Sequence, residues 1–241
     1  MNLIIDTGNT RTKIAVFEQD KLVFLEKIDT EKIIETSKLI FKNHRIEHII
    51  ISSVGKVQKK AIQFLKKEAK TIVLNSKTKI PFNNLYKTPT TLGVDRIALM
   101  AAAVKKYPNK NALIIDAGTC ITYDFITSER DYFGGAIAPG LQMKYNAMHH
   151  FTANLPALKP KITTLGNSTK NAMHQGVING TTLEIEGIIN QYKKNNDNLT
   201  VVLTGGDTFF LAKLLKSSIF ANPYFLLEGL NYILNYNIKN D

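Results

Sequence analysis

Apolar positions in the first 30 residues follow strand periodicity on either side of a short polar turn. Residues 2–5 read as a strand, 6–10 read Asp-Thr-Gly-Asn-Thr, 12–17 resume as a strand and 22–28 form another. A helix is predicted from Thr30, as its N-cap, to residue 43, and the apolar run 48–51 then ends in Ser52-Ser53. Helical spacing of Ala61, Phe64 and Leu65 marks 57–70, and 71–74 returns as a short strand. The order is strands first, then helix and strand in alternation.

The same order recurs from residue 112. A strand over 112–115 meets the turn Asp116-Ala117-Gly118-Thr119, followed by strands over 121–126 and 132–138, with Pro139-Gly140 as a break. Helices are predicted over 141–150, 168–192, 207–216 and 228–236, with a strand at 200–203. Two stretches that each open with a strand hairpin bearing Asp-x-Gly and then Thr read as an internal duplication. Turn-rich residues 83–89 separate them, and an Ala-rich helix over 90–107 bridges them. The expected halves are 1–89 and 90–241, closely packed around a cleft, where ligand sites concentrate.

Composition narrows the classes without choosing among them. At 241 residues, 44% hydrophobic and 21% charged, the chain can bury a large core, which excludes disorder. One cysteine, Cys120, allows neither an internal disulfide nor a thiolate metal site and fits a reducing compartment. The opening MNLIIDTGNT lacks a basic stretch and does not read as a signal peptide, and no apolar run reaches the length of a spanning helix, so a cytoplasmic location without membrane contact is expected. The net charge of +11 invites a nucleic-acid partner, yet only Arg11, Arg45, Arg96 and Arg130 are arginines among 31 basic residues. A lysine-rich surface of this kind is a solvated exterior first, and no nucleic-acid partner is expected. The histidines, His44, His48, His149, His150 and His174, lack the spacing of a zinc site or a catalytic triad.

The chemistry concentrates in the two turns. Gly8 permits a tight bend with exposed amides, Thr10 adds a hydroxyl and Lys13 a cation, a set suited to phosphate oxygens. Asp6, at the end of the first strand, can hold Mg²⁺ through water. A plain polar hairpin is the simpler reading of one such turn, and the second turn at Asp116 favours phosphate. No P-loop is present, because Gly55-Lys56 is followed by Val57, and no G-x-G-x-x-G follows a strand.

Paired hairpins of this kind resemble the actin, sugar kinase and heat-shock ATPase superfamily. Over its whole length the chain resembles the type III pantothenate kinase family within it. The likeness rests on DTGNTRTK at 6–13, Tyr86 seven residues before GVDR at 93–96, IDAGTCITYDF at 115–125, GGAIAPG at 134–140, TGGD at 204–207 and LLEGL at 226–230. The resemblance implies an α/β fold of duplicated ribonuclease H-like, actin-like ATPase halves, each a mixed sheet flanked by helices. It also implies transfer of the γ-phosphoryl of ATP to pantothenate, the first step of coenzyme A biosynthesis, by a homodimer. ATP would be bound by Asp6, Thr7, Gly8, Asn9, Thr10, Arg11, Thr12, Lys13 and Thr119. Pantothenate would be bound by Tyr86, Gly93, Val94, Asp95, Arg96 and, from the neighbouring subunit, Thr169. Asp95 would be the general base, and Asp116 would hold a monovalent cation, K⁺ or NH₄⁺.

Each residue also has a structural reading. Asp95 can stabilise a helix start, Arg96 can form an ion pair, Tyr86 can be core, and Ser168 or Thr169 can cap a helix. Arg96 can equally fork onto the carboxylate of pantothenate, and Tyr86 can pack on its gem-dimethyl group. Gly205-Gly206 can admit an adenine ring or simply turn from strand to helix. Cys120 stands where the family leads one to expect Ala and reads as a small buried hydrophobe. Two other functions remain open on the residues: a non-catalytic regulator or nucleic-acid-binding homologue of this fold, and a kinase of another small alcohol.

Overall fold

The computed structural model describes residues 1–8, 11–53 and 57–240. They form two compact units, one of Met1–Pro108, Arg130–Phe133 and the chain from Tyr224 onward, the other of Asn109–Glu129 and Gly134–Pro223. Residue 89, where the first half was expected to end, lies inside the first unit.

In the first unit β1 (Asn2–Thr7) and β2 (Thr12–Glu18) form a hairpin, extended by β3 (Lys21–Ile28). A 3₁₀ turn (Thr30–Lys32) and α1 (Ile33–Asn43) lead to β4 (His48–Ser53), parallel to β1, and α2 (Lys59–Glu68) leads to β5 (Lys70–Val73), parallel to β4. The resulting order is β3-β2-β1-β4-β5. β6 (Asn83–Asn84) and a 3₁₀ turn (Pro89–Thr91) precede α3 (Val94–Lys106).

Strand alternation gives this sheet two different faces. Leu3, Ile5, Ile14, Val16, Ile49 and Ile51 form one face and pack against Ile33 and Ile40 of α1 and Ala61 and Leu65 of α2. The other face presents Asn2, Ile4 and Asp6 from β1. Asn2 on that face donates to Asn231 and Asn235 of the final helix α8 (Phe225–Lys239), at 2.8 Å each. Helix α3 packs on both α8 and β4.

The second unit repeats the plan. β7 (Ala112–Ala117) pairs antiparallel with β8 (Cys120–Ile126) and parallel with β10 (Thr200–Thr204), which pairs with β11 (Phe220–Ala221). With β9 (Asp131–Pro139) and β6 at its edge the order is β6-β9-β8-β7-β10-β11, whose last five strands repeat the order of the first sheet. Between β9 and β10 lie α4 (Leu141–Phe151), α5 (Thr169–His174), a π-helical turn (Gln175–Asn179) and α6 (Gly180–Asn195), and α7 (Thr208–Ala212) follows β10. The mixed α/β architecture and the duplication expected from the sequence are both present.

Local departures have physical causes. Thr30 does not cap α1: its Oγ1 lies 3.0 Å from Thr12 Oγ1, and the helix opens through a 3₁₀ turn instead. The helix expected over 207–216 is only five residues long, whereas the closing helix begins at Phe225 and runs to Lys239. The two-residue strands β6 and β11 carry too few residues for alternation to mark them.

Helices α3 and α8 cross at a glycine. A Cβ on Gly229 would lie 1.9 Å from the Ala98 carbonyl oxygen, backbone that cannot rotate away. Gly229→Ala is therefore expected to part the two helices and lower the unfolding free energy by about 1 to 3 kcal/mol. Chemical denaturation measures this, and an unchanged midpoint would contradict the close crossing.

Candidate active site

Asp6 is the penultimate residue of β1, with Lys13 opposite it on β2 and Ser52 opposite it on β4. Paired residues point to the same face, so carboxylate, ammonium and hydroxyl stand in a row on the α3 side of the sheet. Asp6 is 8% exposed. Burial pushes its carboxyl up from 3.8 to about 6; Lys13 pulls it down, and the negative charge of Asp95 pushes it up again. Desolvation outweighs the lysine, so this carboxylate is held at a cost to the fold.

The rest of the first turn divides its tasks. The Gly8 amide donates to the Arg11 carbonyl at 3.1 Å and closes the hairpin. Thr7 and Thr12 are paired across the strands with hydroxyls 3.3 Å apart, on the face opposite Asp6 and Lys13. Their side chains thus tie the hairpin together. Arg11 is exposed and makes a 2.9 Å ion pair with Asp29. Asn9 and Thr10, expected at the phosphate, lie outside the described residues, as does Gly55-Lys56.

Helix α3 begins at Val94 with Gly93 as its N-cap. Asp95 folds back over this start, its Oδ1 accepting from the Arg96 amide at 2.8 Å. A Cβ on Gly93 would sit 2.3 Å from that oxygen, so glycine is what leaves room for the carboxylate. The helix dipole favours the charge there. Asp95 thus stabilises the first turn, as its structural reading expects, and its charge raises the Asp6 carboxyl.

Arg96 is buried, with its guanidinium 5.5 Å from the ring centre of Tyr86 and 6.0 Å from that of Tyr132. The two rings stack at 6.3 Å and 19°, and Phe82 meets Tyr132 edge-on at 6.0 Å. Pairing of β6 with Asp131 and Tyr132, together with the Leu85 amide donating to the Tyr132 carbonyl at 2.9 Å, fixes Tyr86 here. Of the residues in this stack, the resemblance named Tyr86 and Arg96 and not Tyr132. Its signal was an aromatic two residues before the Gly134-Gly135 pair.

In the second unit Asp116 occupies the place that Asp6 has in the first. Thr122 is opposite it on β8 and Thr204 on β10. Gly205 has φ +96°, and a Cβ there would lie 2.4 Å from Asp116 Oδ1 and 2.3 Å from the Ala117 carbonyl oxygen. This glycine is thus required by Asp116, while the space beside Gly206 is open. Gly140 presses as closely on the turn, 2.2 Å from Gly118 O by the same measure, and its amide donates to Thr119 O at 3.1 Å. Thr119 itself is exposed, and Cys120 is half-buried rather than the buried hydrophobe expected. Thr169 is the exposed first residue of α5, and the cap is Ser168, whose Oγ accepts from the Asn171 amide at 3.4 Å.

Two sheets that share a five-strand order, each with an aspartate as the penultimate residue of its first strand, have the fold of the actin-like sugar-kinase class. Solved structures agree on the fold: a Campylobacter jejuni protein named as a Baf family transcriptional activator superposes with a TM-score of 0.63 at 24% identity, over 98% of this chain and 99% of that one. A Listeria monocytogenes protein named as an N-acetylmannosamine kinase does so with 0.57 at 14%, again over 98% and 99%. The chain belongs to the type III pantothenate kinase family, whose model matches residues 2–191. Relatives of that name are 48% identical in Christiangramia forsetii, over 98% of this chain and 99% of the relative, and 45% identical in Flavobacterium johnsoniae, over the full length of both. The family is one of ATP-dependent kinases.

Because the Asp6 carboxyl is raised in the folded chain, the fold binds a proton between about pH 4 and 6 that the unfolded chain has released. Stability is lost as pH rises through that window, and the full penalty persists above it. Asp6→Asn should therefore stabilise the metal-free protein at pH 8, by something on the order of 2 to 3 kcal/mol, and give no gain near pH 4. Denaturation at both pH values checks this; a loss of stability at pH 8 would contradict it.

Proposed function

We propose that this protein transfers the γ-phosphoryl of ATP to the hydroxyl of pantothenate, giving 4'-phosphopantothenate and ADP at the entry to coenzyme A synthesis. The observation that carries the proposal is the first turn of α3. There Gly93 makes room for the Asp95 carboxylate on the side of the sheet that bears Asp6 and Lys13, and Arg96 follows within its aromatic stack.

In the proposed reaction Asp95 accepts the hydroxyl proton as the oxygen attacks the γ-phosphorus. The bond to the bridging oxygen breaks, and ADP leaves with the electron pair. No covalent enzyme intermediate is needed, so positioning and charge supply the catalysis. Lys13, the turn over residues 6–13 and the exposed Thr119 are proposed to hold the phosphates. Asp6 suits Mg²⁺, because one carboxylate plus water is the usual way this ion is held beside phosphates. A magnesium ion there would supply neutralising charge. Asp116, with the Ala117 carbonyl nearby and Thr122 and Thr204 alongside, is an oxygen set that fits K⁺ or NH₄⁺.

Arg96 holds the pantothenate carboxylate, and Tyr86, with Gly93 and Val94, lines the substrate; Tyr132 joins them. We further propose a homodimer, through which Thr169 reaches the neighbouring subunit's substrate. The second unit exposes Ile137, Phe151, Leu165 and Leu183, apolar side chains that a partner copy would cover. The duplicated halves are proposed to meet between residues 89 and 90. The reading is completed by a cytoplasmic location and no nucleic-acid or membrane partner; among the described residues no helix is long and apolar enough to cross a membrane.

Purified protein should phosphorylate pantothenate in preference to a panel of other small alcohols. Asp95→Asn should lower kcat by about 10² to 10⁴-fold with its fold intact. Phosphorylation of a different alcohol, or near-normal turnover in the variant, would overturn the corresponding part of the proposal.

A further inference from the structure

Three buried side-chain oxygens have no hydrogen-bond partner among the described residues: Ser37 Oγ, Ser52 Oγ and Thr122 Oγ1. Two of the three stand directly beside the strand-end aspartates. Ser52 is paired with Asp6 across β1 and β4, and Thr122 with Asp116 across β7 and β8. A hydroxyl offers one donor and two acceptor sites, and burying it unpaired is destabilising.

Packing gives no reason for a hydroxyl at position 52. Ser52 is fully buried and follows Ile49, Ile50 and Ile51 at the end of an apolar parallel strand. Alanine would fill nearly the same space without an unsatisfied oxygen. Asp6 is acceptor-only when ionised, and its own burial is also unfavourable, so two poorly satisfied groups lie side by side on one face. Beside Asp116 the unpartnered hydroxyl, Thr122 Oγ1, lies on the hairpin strand instead, the place that Lys13 holds in the first unit, while the counterpart of Ser52 on the parallel strand is Thr204.

We propose that Ser52 is a positioning residue for Asp6: with Mg²⁺ and nucleotide bound, its hydroxyl takes its hydrogen-bond partner in the shell of water and phosphate oxygens that Asp6 orders. The inference rests on the nucleotide-binding role proposed for Asp6 and does not depend on which alcohol is phosphorylated. Ser52 acts through the carboxylate and the phosphates and touches neither the alcohol nor Asp95. Ser37, on α1 and so on the opposite side of the sheet, is a control of the same chemistry without that role.

The test compares wild type, Ser52→Ala, Ser52→Thr and Ser37→Ala. Calorimetric titration with Mg²⁺ and a non-hydrolysable ATP analogue, without pantothenate, should show binding weakened about 10-fold or more in Ser52→Ala and unchanged in Ser37→Ala. Metal-free Ser52→Ala should unfold at a temperature no lower than wild type. Its turnover should need more Mg²⁺ for half-saturation while KM for pantothenate stays the same. Ser52→Thr, which keeps the hydroxyl, should retain tighter analogue binding than Ser52→Ala. Analogue binding equal to wild type in Ser52→Ala would overturn the proposal. So would a fall in its metal-free stability, which is the mark of a packing role. A wild-type chain that binds the Mg²⁺ analogue but leaves pantothenate untouched would defeat the proposed substrate alone, and the Ser52 comparison would still stand or fall on binding.

Discussion

A carboxylate at the end of a buried central strand is unfavourable for folding, and the site is organised around that fact. Asp6 is flanked on both sides by paired strands, so it cannot swing into solvent. Lys13 offsets part of its desolvation, but burial dominates, and Asp95 adds like charge from the start of α3. The two negative groups are held together by helix packing. Gly229 lets α8 seat against Ala98 of α3, and α3 in turn lies on β4. The core therefore supplies the stability that the site consumes, the usual condition of a strained functional arrangement.

The second unit shows that this is a repeated plan. Its first strand also carries an aspartate near its end, with hydroxyl-bearing residues on both neighbouring strands, and here Gly205 is required where backbone meets the carboxylate. The two copies differ in what surrounds them. Asp6 has an ammonium opposite it, whereas Asp116 has Thr122 opposite it.

Much of this was legible in the sequence because short apolar runs, period-2 alternation and the Asp-x-Gly turns are local signals. The strands β1, β2, β4, β7, β8 and β10 follow directly from them, and so do Asp6 and Asp116. Asp95 and Arg96 came from the resemblance, since a lone acidic residue at a helix start has no distinctive pattern. What remained hidden was set by long-range contact. Tyr132 joins Tyr86 only because a two-residue strand pairs there. The importance of Gly93 and Gly205 lies in the carboxylates beside them, and that of Ser52 in a register no single strand reveals. Thr30 was misread as a cap because its partner, Thr12, is far along the chain.

The central claim is that the fold holds Asp6 and Asp95 close enough to repel. A double-mutant cycle on the metal-free protein tests it most directly: wild type, Asp6→Asn, Asp95→Asn and the double variant, unfolded by denaturant at pH 8. The stabilisation gained from Asp6→Asn should be smaller when residue 95 is already neutral, by about 0.5 kcal/mol or more. Equal gains in both backgrounds would mean that the two carboxylates do not sense each other, and would contradict the account.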